Sequence, residues 1–366
     1  MNILHTETLK GWGGEQNKVL KELIVTKKLG HKVYFICNPS AEIAKRGKKM
    51  ELDIFEFEMN KKNFHKTIPF FLKFIKDKNI DILFSHGSTD SWIVAIAGNL
   101  SSKKPFLIRE RHNLFVIKGY LSKLLHRKLF DKIITVSESV KNYLKDIKVK
   151  EEKIFMLPDV VDTKHFINTK PTLRKEFAIP DNAIVVGIFT SLYKQKGVYD
   201  FFEVAKKILK KYDNVYTVFG GNYSEKVKRE IDDFFEKENY DKKRVIWTGF
   251  KEDAASVMKD FDIFLFPTHI EGLGTVIIEA MTSKLPVIVY DKGPMNILVE
   301  NGVNGFTVPF LDTKKLTEAA SLLIENKDLR KKMGKKSFEI ASVDFGEDVL
   351  INKMKELLGK ISAEIS

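Results

Sequence analysis

Short runs of β-branched and aromatic residues alternate with amphipathic helical stretches from one end of this chain to the other. This alternation is typical of parallel sheets covered by helices on both faces. The pattern restarts at Ala183, after a polar stretch punctuated by prolines from Pro158 to Pro171. With 366 residues, the chain also exceeds one ordinary domain. The sequence therefore predicts an α/β protein with two doubly wound, Rossmann-like units.

The predicted units divide the chain unequally. We predict a first domain over residues 1–165 and a second over residues 166–345, followed by a helix over residues 346–366 that crosses back to the first domain. Ligands of open parallel sheets bind outside the carboxyl ends of the strands. Site residues should therefore follow strands directly, and we expect the two units to face each other across a cleft.

Positive charge is concentrated in the first predicted domain. Residues 1–165 contain 31 Lys and Arg against 19 Asp and Glu, whereas residues 166–366 contain 31 against 30. The excess indicates an anionic partner such as a phospholipid surface, a phosphorylated glycan or nucleic acid, and a merely solvated lysine-rich surface is the alternative. Because no stacking strand rich in aromatics and no recognition helix stands out, we expect no nucleic acid.

The sequence favours a cytoplasmic location. No apolar run approaches the roughly 20 residues that span a bilayer, and the first residues lack the pattern of a signal peptide. The single cysteine, Cys37, fits a reducing compartment. Residues 119–128 place leucines among basic residues, so this stretch could lie on the inner face of an anionic membrane. Packing of its apolar stripe against its own sheet is the commoner outcome.

Two glutamates bracket the most informative segment, which runs from Glu271 to Glu279. Between them, the glycine-flanked residues 272–275 lead into an apolar helix, whose first N–H groups and partial positive charge suit a phosphate. Glu279 is the only charged residue from Gly272 through Ser283. Hydroxyls of a sugar or ribose would be suitable partners for it. Helix capping by Glu271 and a solvated Glu279 are the alternatives.

Two further loops join a strand to a helix. A glycine-rich turn with Gly13 and Gly14 follows the first strand, and the helix behind it points its N-terminus at the turn. It lacks the GxGxxG spacing of dinucleotide folds, so no nicotinamide cofactor is expected. In the second half, Ser191 to Lys196 precede another helix, and either Lys194 or Lys196 could neutralise a diphosphate.

A third candidate group, Arg109-Glu-Arg-His112, follows the fifth predicted strand. His112 could exchange a proton or bind an oxygen, while Arg109 and Arg111 could hold anions. We expect these two arginines and Glu15 to lie on the acceptor side. A structural role for the histidine is the alternative. No cluster of His, Cys and Asp has zinc spacing and no Walker loop is present, so we expect neither metal nor cofactor.

Nearly the whole chain resembles a retaining glycosyltransferase of family four, of the bacterial cell-envelope and lipopolysaccharide type, which has the two-domain GT-B fold. The resemblance is strongest from Val245 to Pro309, where the E-x7-E segment, Thr248-Gly-Phe250 and Asn304-Gly305 follow the family order. It implies transfer of a hexosyl-type sugar from a nucleoside diphosphate to a hydroxyl of a glycan or glycolipid, with the anomeric configuration retained.

The resemblance also implies residue roles. His112, Lys196 and Glu271 would act at the reacting centre, with Glu279 on the donor ribose. The donor-binding set would comprise Gly13, Gly14, Ser191, Lys194, Gly249, Phe250, Gly272, Leu273, Gly274 and Thr275.

Two departures from the family pattern bear on the donor site. Ser191 stands where the family usually has an arginine, and Asn296 replaces a usual glutamate. Two alternatives therefore stay open: a GT-B sugar-nucleotide epimerase or phosphorylase, and a non-catalytic basic protein that binds membranes or nucleic acid.

Overall fold

The structure, a computed structural model, describes residues 1–365 and contains two compact units. Unit 1 consists of Met1–Asp159 and the segment from Asp348 onward, whereas unit 2 is Val160–Glu347. The predicted division after residue 165 would cut the helix α7, Thr163–Asn168. Asp162 begins this helix by accepting a hydrogen bond from the His165 N–H at 2.9 Å, so the division lies before the helix.

Unit 1 is built on a sheet of seven parallel strands in the order β3-β2-β1-β4-β5-β6-β7. All residues of β4 and β5 are buried, as expected for strands covered on both faces. The strands are β1 Asn2–Glu7, β2 Lys32–Cys37, β3 Asp53–Glu56, β4 Ile82–Ser85, β5 Phe106–Arg111, β6 Lys132–Thr135 and β7 Ile154–Met156. The helices are α1 Gly14–Lys28, α2 Glu42–Lys49, α3 Phe64–Asp77, α4 Ser88–Leu100, α5 Tyr120–Lys128, α6 Glu138–Asp146 and the last helix, α16 Glu347–Ile365.

Unit 2 repeats the architecture with six parallel strands in the order β10-β9-β8-β11-β12-β13. The strands are β8 Ile184–Phe189, β9 Val215–Gly220, β10 Val245–Gly249, β11 Ile263–Phe266, β12 Val287–Tyr290 and β13 Gly305–Val308. The helices besides α7 are α8 Leu173–Glu176, α9 Val198–Lys211, α10 Glu225–Lys237, α11 Ala254–Met258, α12 Thr275–Thr282, α13 Met295–Leu298, α14 Thr313–Glu325 and α15 Lys327–Asp344.

The predicted fold class is confirmed, since each unit is a parallel α/β sheet of the Rossmann type. In both sheets, the chain reverses its direction of travel between two neighbouring strands, β1 and β4 in unit 1 and β8 and β11 in unit 2. Loops that follow such strands diverge and leave room for a ligand at the carboxyl edge. Among the helices of residues 1–365, none combines the length and the apolar character that crossing a membrane requires.

The stretch that leads into α5 exposes apolar side chains. Phe115, Val116, Tyr120 and Leu121 are each more than half exposed, whereas Leu125 is buried. The apolar stripe of residues 119–128 therefore packs only in part against the sheet, and packing does not account for its first turn. The exposed residues are interspersed with the basic residues 118, 123, 127 and 128.

His126 is the buried polar residue of α5. Its Nδ1 atom contacts the Ser122 carbonyl oxygen at 2.7 Å, and its Nε2 atom is buried without a hydrogen-bond partner in the described chain. Burial, reinforced by the nearby charges of Arg109 and Arg111, lowers the pKa of His126 to about 3. The ring is therefore neutral and donates from Nδ1.

Replacing His126 with leucine should make the free energy of unfolding less sensitive to acid. The unfolded chain protonates this histidine below about pH 6.5, whereas the folded chain resists protonation until about pH 3. The contribution of His126 to the free energy of unfolding is thus present above pH 6.5 and is lost as pH falls. From pH 7 to pH 5 the wild type should lose about 2 kcal/mol more than H126L in urea unfolding. Equal losses would contradict a buried, neutral ring.

Candidate functional site

Two loops of unit 2 meet at the point where its strand order reverses. One follows β8 and contains Lys196, and the other follows β11 and contains Glu271. The His269 N–H donates to the Gln195 carbonyl at 2.8 Å. The Thr268 hydroxyl donates to the same carbonyl at 3.3 Å. The backbone thus joins the two loops independently of the charged side chains.

Gly197 permits the close approach of these loops. It has a φ of +77°, and a Cβ atom at this position would lie 1.9 Å from the Pro267 carbonyl oxygen. Both facts require glycine, since a side chain would be strained and would also separate the loops. Immediately behind, His269 Nε2 lies 2.5 Å from an Asp200 carboxylate oxygen, which adds a side-chain link between α9 and the second loop.

Lys196 and Glu271 form an ion pair across the two loops. Their side chains are 18% and 14% exposed, so the pair is largely shielded from water but still reachable from the surface. Because both ions sit on loops held together by backbone contacts, the pair is pre-positioned. A positive and a negative group placed side by side in this way can contact an anion and hydroxyl groups respectively.

The helix α12 begins just after Glu271. Gly274 begins it in the left-handed conformation, with a φ of +93°, and has no side chain with which to cap this end. The Gly274 carbonyl accepts the Ile277 N–H at 2.8 Å. Gly272, Leu273 and Gly274 are buried and Thr275 is half-buried. Glu279 is half-buried on the second turn of this eight-residue helix.

The other predicted donor residues lie along the same edge of the unit 2 sheet. Ser191 and Lys194 are exposed on the loop after β8. Gly249 ends β10 with a φ of +65°, and Phe250 beyond it is 51% exposed. The Gly249 carbonyl accepts the Gly221 N–H from the neighbouring strand end at 3.1 Å. The structure therefore gathers the predicted donor residues of unit 2 at one sheet edge. The contact of Asp200 with His269 was not among the predictions, because no local motif marks it.

In unit 1, the glycine-rich turn lies at the carboxyl end of β1. Gly13 and Gly14 are exposed, and Gly13 has an extended φ of −165° that any residue could adopt. The turn is tethered by Trp12, whose ring is covered by the Arg46 guanidinium at 4.0 Å. Gly13, which begins α1, has no side chain with which to cap it.

Glu15 belongs to a cluster of carboxyl groups beside this turn. Burial raises the pKa of Glu15, which contacts Glu7. The pKa of Glu7 is raised well above its ordinary value by burial and by the carboxyl groups of Asp90 and Glu15. Glu7 and Asp90 are buried, so Glu15 is the member of these three that reaches the surface.

The two arginines predicted to hold an acceptor anion are directed elsewhere. Arg109 is buried, and its Nη1 atom donates to the carbonyl oxygens of Ser85, His86 and Glu110. Arg111 donates through Nη2 to the carbonyl oxygens of Asn113 and Phe115, the latter at 2.7 Å. In this structure both guanidinium groups order backbone at the end of β5, so their positions lend no support to an acceptor role.

His112 is part of a buried chain of three imidazole rings. His5 Nδ1 lies 3.0 Å from His86 Nε2, and His86 Nδ1 lies 3.3 Å from His112 Nε2. Burial lowers the pKa of His5 and of His112 well below the ordinary value, so both rings are neutral. His112 Nδ1 is also buried, without a hydrogen-bond partner within residues 1–365. In this conformation His112 is therefore engaged inside unit 1 rather than free to act as a base.

Glu110 determines which ring nitrogens carry protons. Its Oε2 atom is 3.2 Å from His86 Nδ1, and a carboxylate that close requires a proton on that nitrogen. His86 Nδ1 then also faces His112 Nε2, which must be the unprotonated acceptor. The proton of His112 is thereby assigned to Nδ1, on the side of Glu110 Oε1 at 3.9 Å.

The Lys18 ammonium neutralises the negative charge of this cluster. Its Nζ atom lies 2.7 Å from Glu110 Oε1 and 2.6 Å from Glu22 Oε1, and it donates to the Leu157 carbonyl at 3.0 Å. Burial opposes ionisation of Glu110, but Lys18, His112 and His86 outweigh it and hold the pKa of Glu110 well below its ordinary value. Burial and the adjacent Glu110 raise the pKa of Glu22 well above its own, so Glu22 carries a proton.

Two groups in this cluster have the composition of a metal site. His5, Glu22 and His86 place one ligand atom each within 4.8 Å of one another, and so do His86, Glu110 and His112. The Lys18 ammonium already contacts both carboxyl groups. A divalent cation would be repelled by it, so this donor set suits an internal ion pair better than a metal ion.

Comparison with known proteins identifies the class. Residues 20–165 match the family described as Glycosyltransferase Family 4, and residues 169–339 match Glycosyl transferases group 1. Together these ranges cover most of the chain. The chain therefore belongs to the family four glycosyltransferases of the GT-B fold.

Individual relatives are distant. An Escherichia coli UDP-Gal:alpha-D-GlcNAc-diphosphoundecaprenol alpha-1,3-galactosyltransferase is 25% identical over 280 residues, covering 72% of this chain and 71% of that enzyme. A Campylobacter jejuni N,N'-diacetylbacillosaminyl-diphospho-undecaprenol alpha-1,3-N-acetylgalactosaminyltransferase is 22% identical, covering 89% and 91%. The solved structure of Anabaena HepE with UDP and glucose has a TM-score of 0.85 at 18% identity, covering 98% and 100%.

The assignment of charge to Glu110 and of a proton to Glu22 predicts unequal effects of the same substitution. Glu110→Gln removes the counter-charge of Lys18, which Glu22 can replace only by giving up its proton in a buried site, and should lower the free energy of unfolding by about 1–3 kcal/mol at pH 7. Glu22→Gln, the matched control, replaces a protonated carboxyl by a neutral amide and should cost under about 1 kcal/mol. Urea unfolding of both variants measures the difference, and similar losses would refute the assignment.

Proposed function

We propose that the chain transfers a hexosyl-type sugar from a nucleoside diphosphate to an acceptor hydroxyl with retention of configuration. The observation that carries this proposal is the Lys196–Glu271 pair, set where the strand order of unit 2 reverses and directly before α12. The pair offers a cation for a diphosphate and a carboxylate for sugar hydroxyls. The relative that uses UDP-Gal and the fold neighbour crystallised with UDP support a nucleotide-sugar donor.

The reaction chiefly requires stabilisation of the charge that develops as the bond to the diphosphate breaks. As the bond between the anomeric carbon and the diphosphate breaks, negative charge grows on the phosphate oxygens, and Lys196 with the N-terminus of α12 would stabilise it. Glu271 would hold the transferred sugar and Glu279 the ribose. Because the protein supplies this charge itself, we propose that transfer needs no metal ion.

Retention follows if the acceptor attacks the face that the diphosphate leaves. The acceptor oxygen bonds to the anomeric carbon, the bond to the phosphate oxygen breaks, and the acceptor proton passes to that phosphate oxygen. No catalytic base is required, which agrees with the engagement of His112 inside unit 1. A covalent carboxylate intermediate is the other route to retention, but Glu271 is already paired with Lys196.

For the acceptor, we propose a lipid-linked glycan of the cell envelope. Two relatives act on sugars attached to diphosphoundecaprenol, and residues 1–165 carry most of the net positive charge. A diphosphate between glycan and lipid suits such a surface. We further propose that the chain works at the cytoplasmic face of the membrane, with Phe115, Val116, Tyr120 and Leu121 entering the head-group region.

The donor proposal predicts ligand-induced stabilisation that depends on Lys196. A panel of UDP-, GDP- and ADP-sugars in EDTA should contain at least one donor that raises the melting temperature, since ligands of the folded state stabilise it. Lys196→Ala should abolish that shift and lower turnover by about 10²–10³-fold. Glu176→Gln, which alters an exposed ion pair of the same unit, is the control and should behave as wild type. Loss of binding in EDTA would refute the metal-free mechanism.

The membrane proposal predicts a charge effect confined to one surface. Lys118 and Lys128 flank the exposed apolar residues of α5 and are themselves exposed. K118E/K128E should weaken binding to vesicles containing phosphatidylglycerol by about tenfold or more, because each basic residue contributes about 1 kcal/mol at an anionic surface. K226E/K335E in unit 2 reverses two exposed lysines as a matched control. Equal binding by both variants in co-sedimentation would count against this surface.

A further inference from the structure

The Lys196–Glu271 pair has no net charge, although the group proposed to bind beside it is an anion. A diphosphate that approaches Lys196 must therefore compete with the Glu271 carboxylate. The two loops that carry these side chains are held together by Gln195, Gly197, Pro267 and His269 through the backbone. Glu271 consequently remains close to any phosphate that Lys196 contacts.

The two nucleotides of the reaction differ in what they place beside this carboxylate. In the intact donor, the phosphate that bears the sugar is linked on both sides and has one charge, and the sugar offers hydroxyls that donate to a carboxylate. In the free nucleoside diphosphate, the terminal phosphate approaches two charges near neutral pH and has no hydroxyls to offer. When Lys196 turns to the diphosphate, the sugar hydroxyls of the donor can thus replace its hydrogen bond to Glu271. The free nucleoside diphosphate has no hydroxyls there to do so.

We propose that Glu271 is a specificity-determining residue that favours the sugar-bearing nucleotide over the free nucleoside diphosphate. This inference rests on the proposed function and adds a second role to that site, namely expulsion of the nucleotide product. Repulsion between Glu271 and the terminal phosphate acts in a largely shielded site, since the two side chains are 14% and 18% exposed. Such repulsion is stronger there than between exposed groups.

The neighbouring charged side chains of this sheet edge have other contacts or face solvent. His269 is occupied by Asp200 at 2.5 Å, and the Lys292 ammonium lies over the Phe310 ring at 3.6 Å. Lys194, on the same loop as Lys196, is exposed to solvent and so screened. Glu271 is therefore the carboxylate in direct contact with Lys196, the cation proposed to bind the diphosphate. Removing the charge of Glu271 should change the nucleotide preference in a defined direction.

The test is calorimetric titration of the full chain with two matched ligand pairs, UDP with UDP-glucose and GDP with GDP-mannose. Glu271→Gln keeps the size of the side chain and removes its charge. We expect E271Q to bind the free diphosphate more tightly than wild type, so that the ratio of the two dissociation constants shifts by about tenfold toward the free diphosphate. Glu271→Ala should shift the ratio in the same direction and serves if E271Q does not fold.

Glu176→Gln is the matched control, because it removes one carboxylate that is paired with a lysine elsewhere in unit 2. It should leave the ratio unchanged. If a pair binds and neither variant of Glu271 shifts the ratio, the selectivity role is overturned while the donor proposal stands. If wild type binds neither pair, nor any other nucleotide sugar of the panel, the donor proposal falls and this inference falls with it.

Discussion

The approach of Gly197 to the Pro267 carbonyl is the constraint on which the unit 2 site depends. It brings together two loops that are far apart in sequence, and a single Cβ atom there would lie 1.9 Å from that oxygen. The hydrogen bonds to the Gln195 carbonyl then keep the loops in register. An ion pair formed between loops so restrained loses little conformational freedom on forming, which is why its geometry can be specific.

The two units place their charged groups differently. Unit 2 keeps Lys196 and Glu271 accessible at the carboxyl edge of its sheet, whereas unit 1 buries Lys18, Glu110 and its imidazole chain beneath the corresponding edge. A buried ion pair contributes little net stability but is costly to break, so this pair favours one arrangement of α1 and β5, which carry Lys18 and Glu110. Unit 1 thereby gains a defined edge at the ends of β1, β4 and β5, while unit 2 retains charge that can interact with a ligand.

The fold and the donor loops follow from local patterns, and the interior of unit 1 does not. The strands and the loops with Lys196 and Glu271 could be predicted, because apolar runs and helix starts are properties of neighbouring residues. The engagement of Arg109 by three carbonyl groups depends on how β4 and β5 pair. The proton on Glu22 depends on Lys18 and Glu110, which are brought together only by folding. No sequence window contains that information.

His112 fits a sequence motif for a reacting group, but in the structure it is part of an internal hydrogen-bond network. Its place after β5 suggests a reacting group, but Glu110 assigns its proton to Nδ1, while His86 occupies its Nε2. A base at this position would therefore have to break a hydrogen bond inside a largely buried cluster. Same-face attack avoids that cost, because the leaving phosphate itself takes the acceptor proton. The arrangement of unit 1 and the charge pair of unit 2 are thus both compatible with the proposed same-face attack.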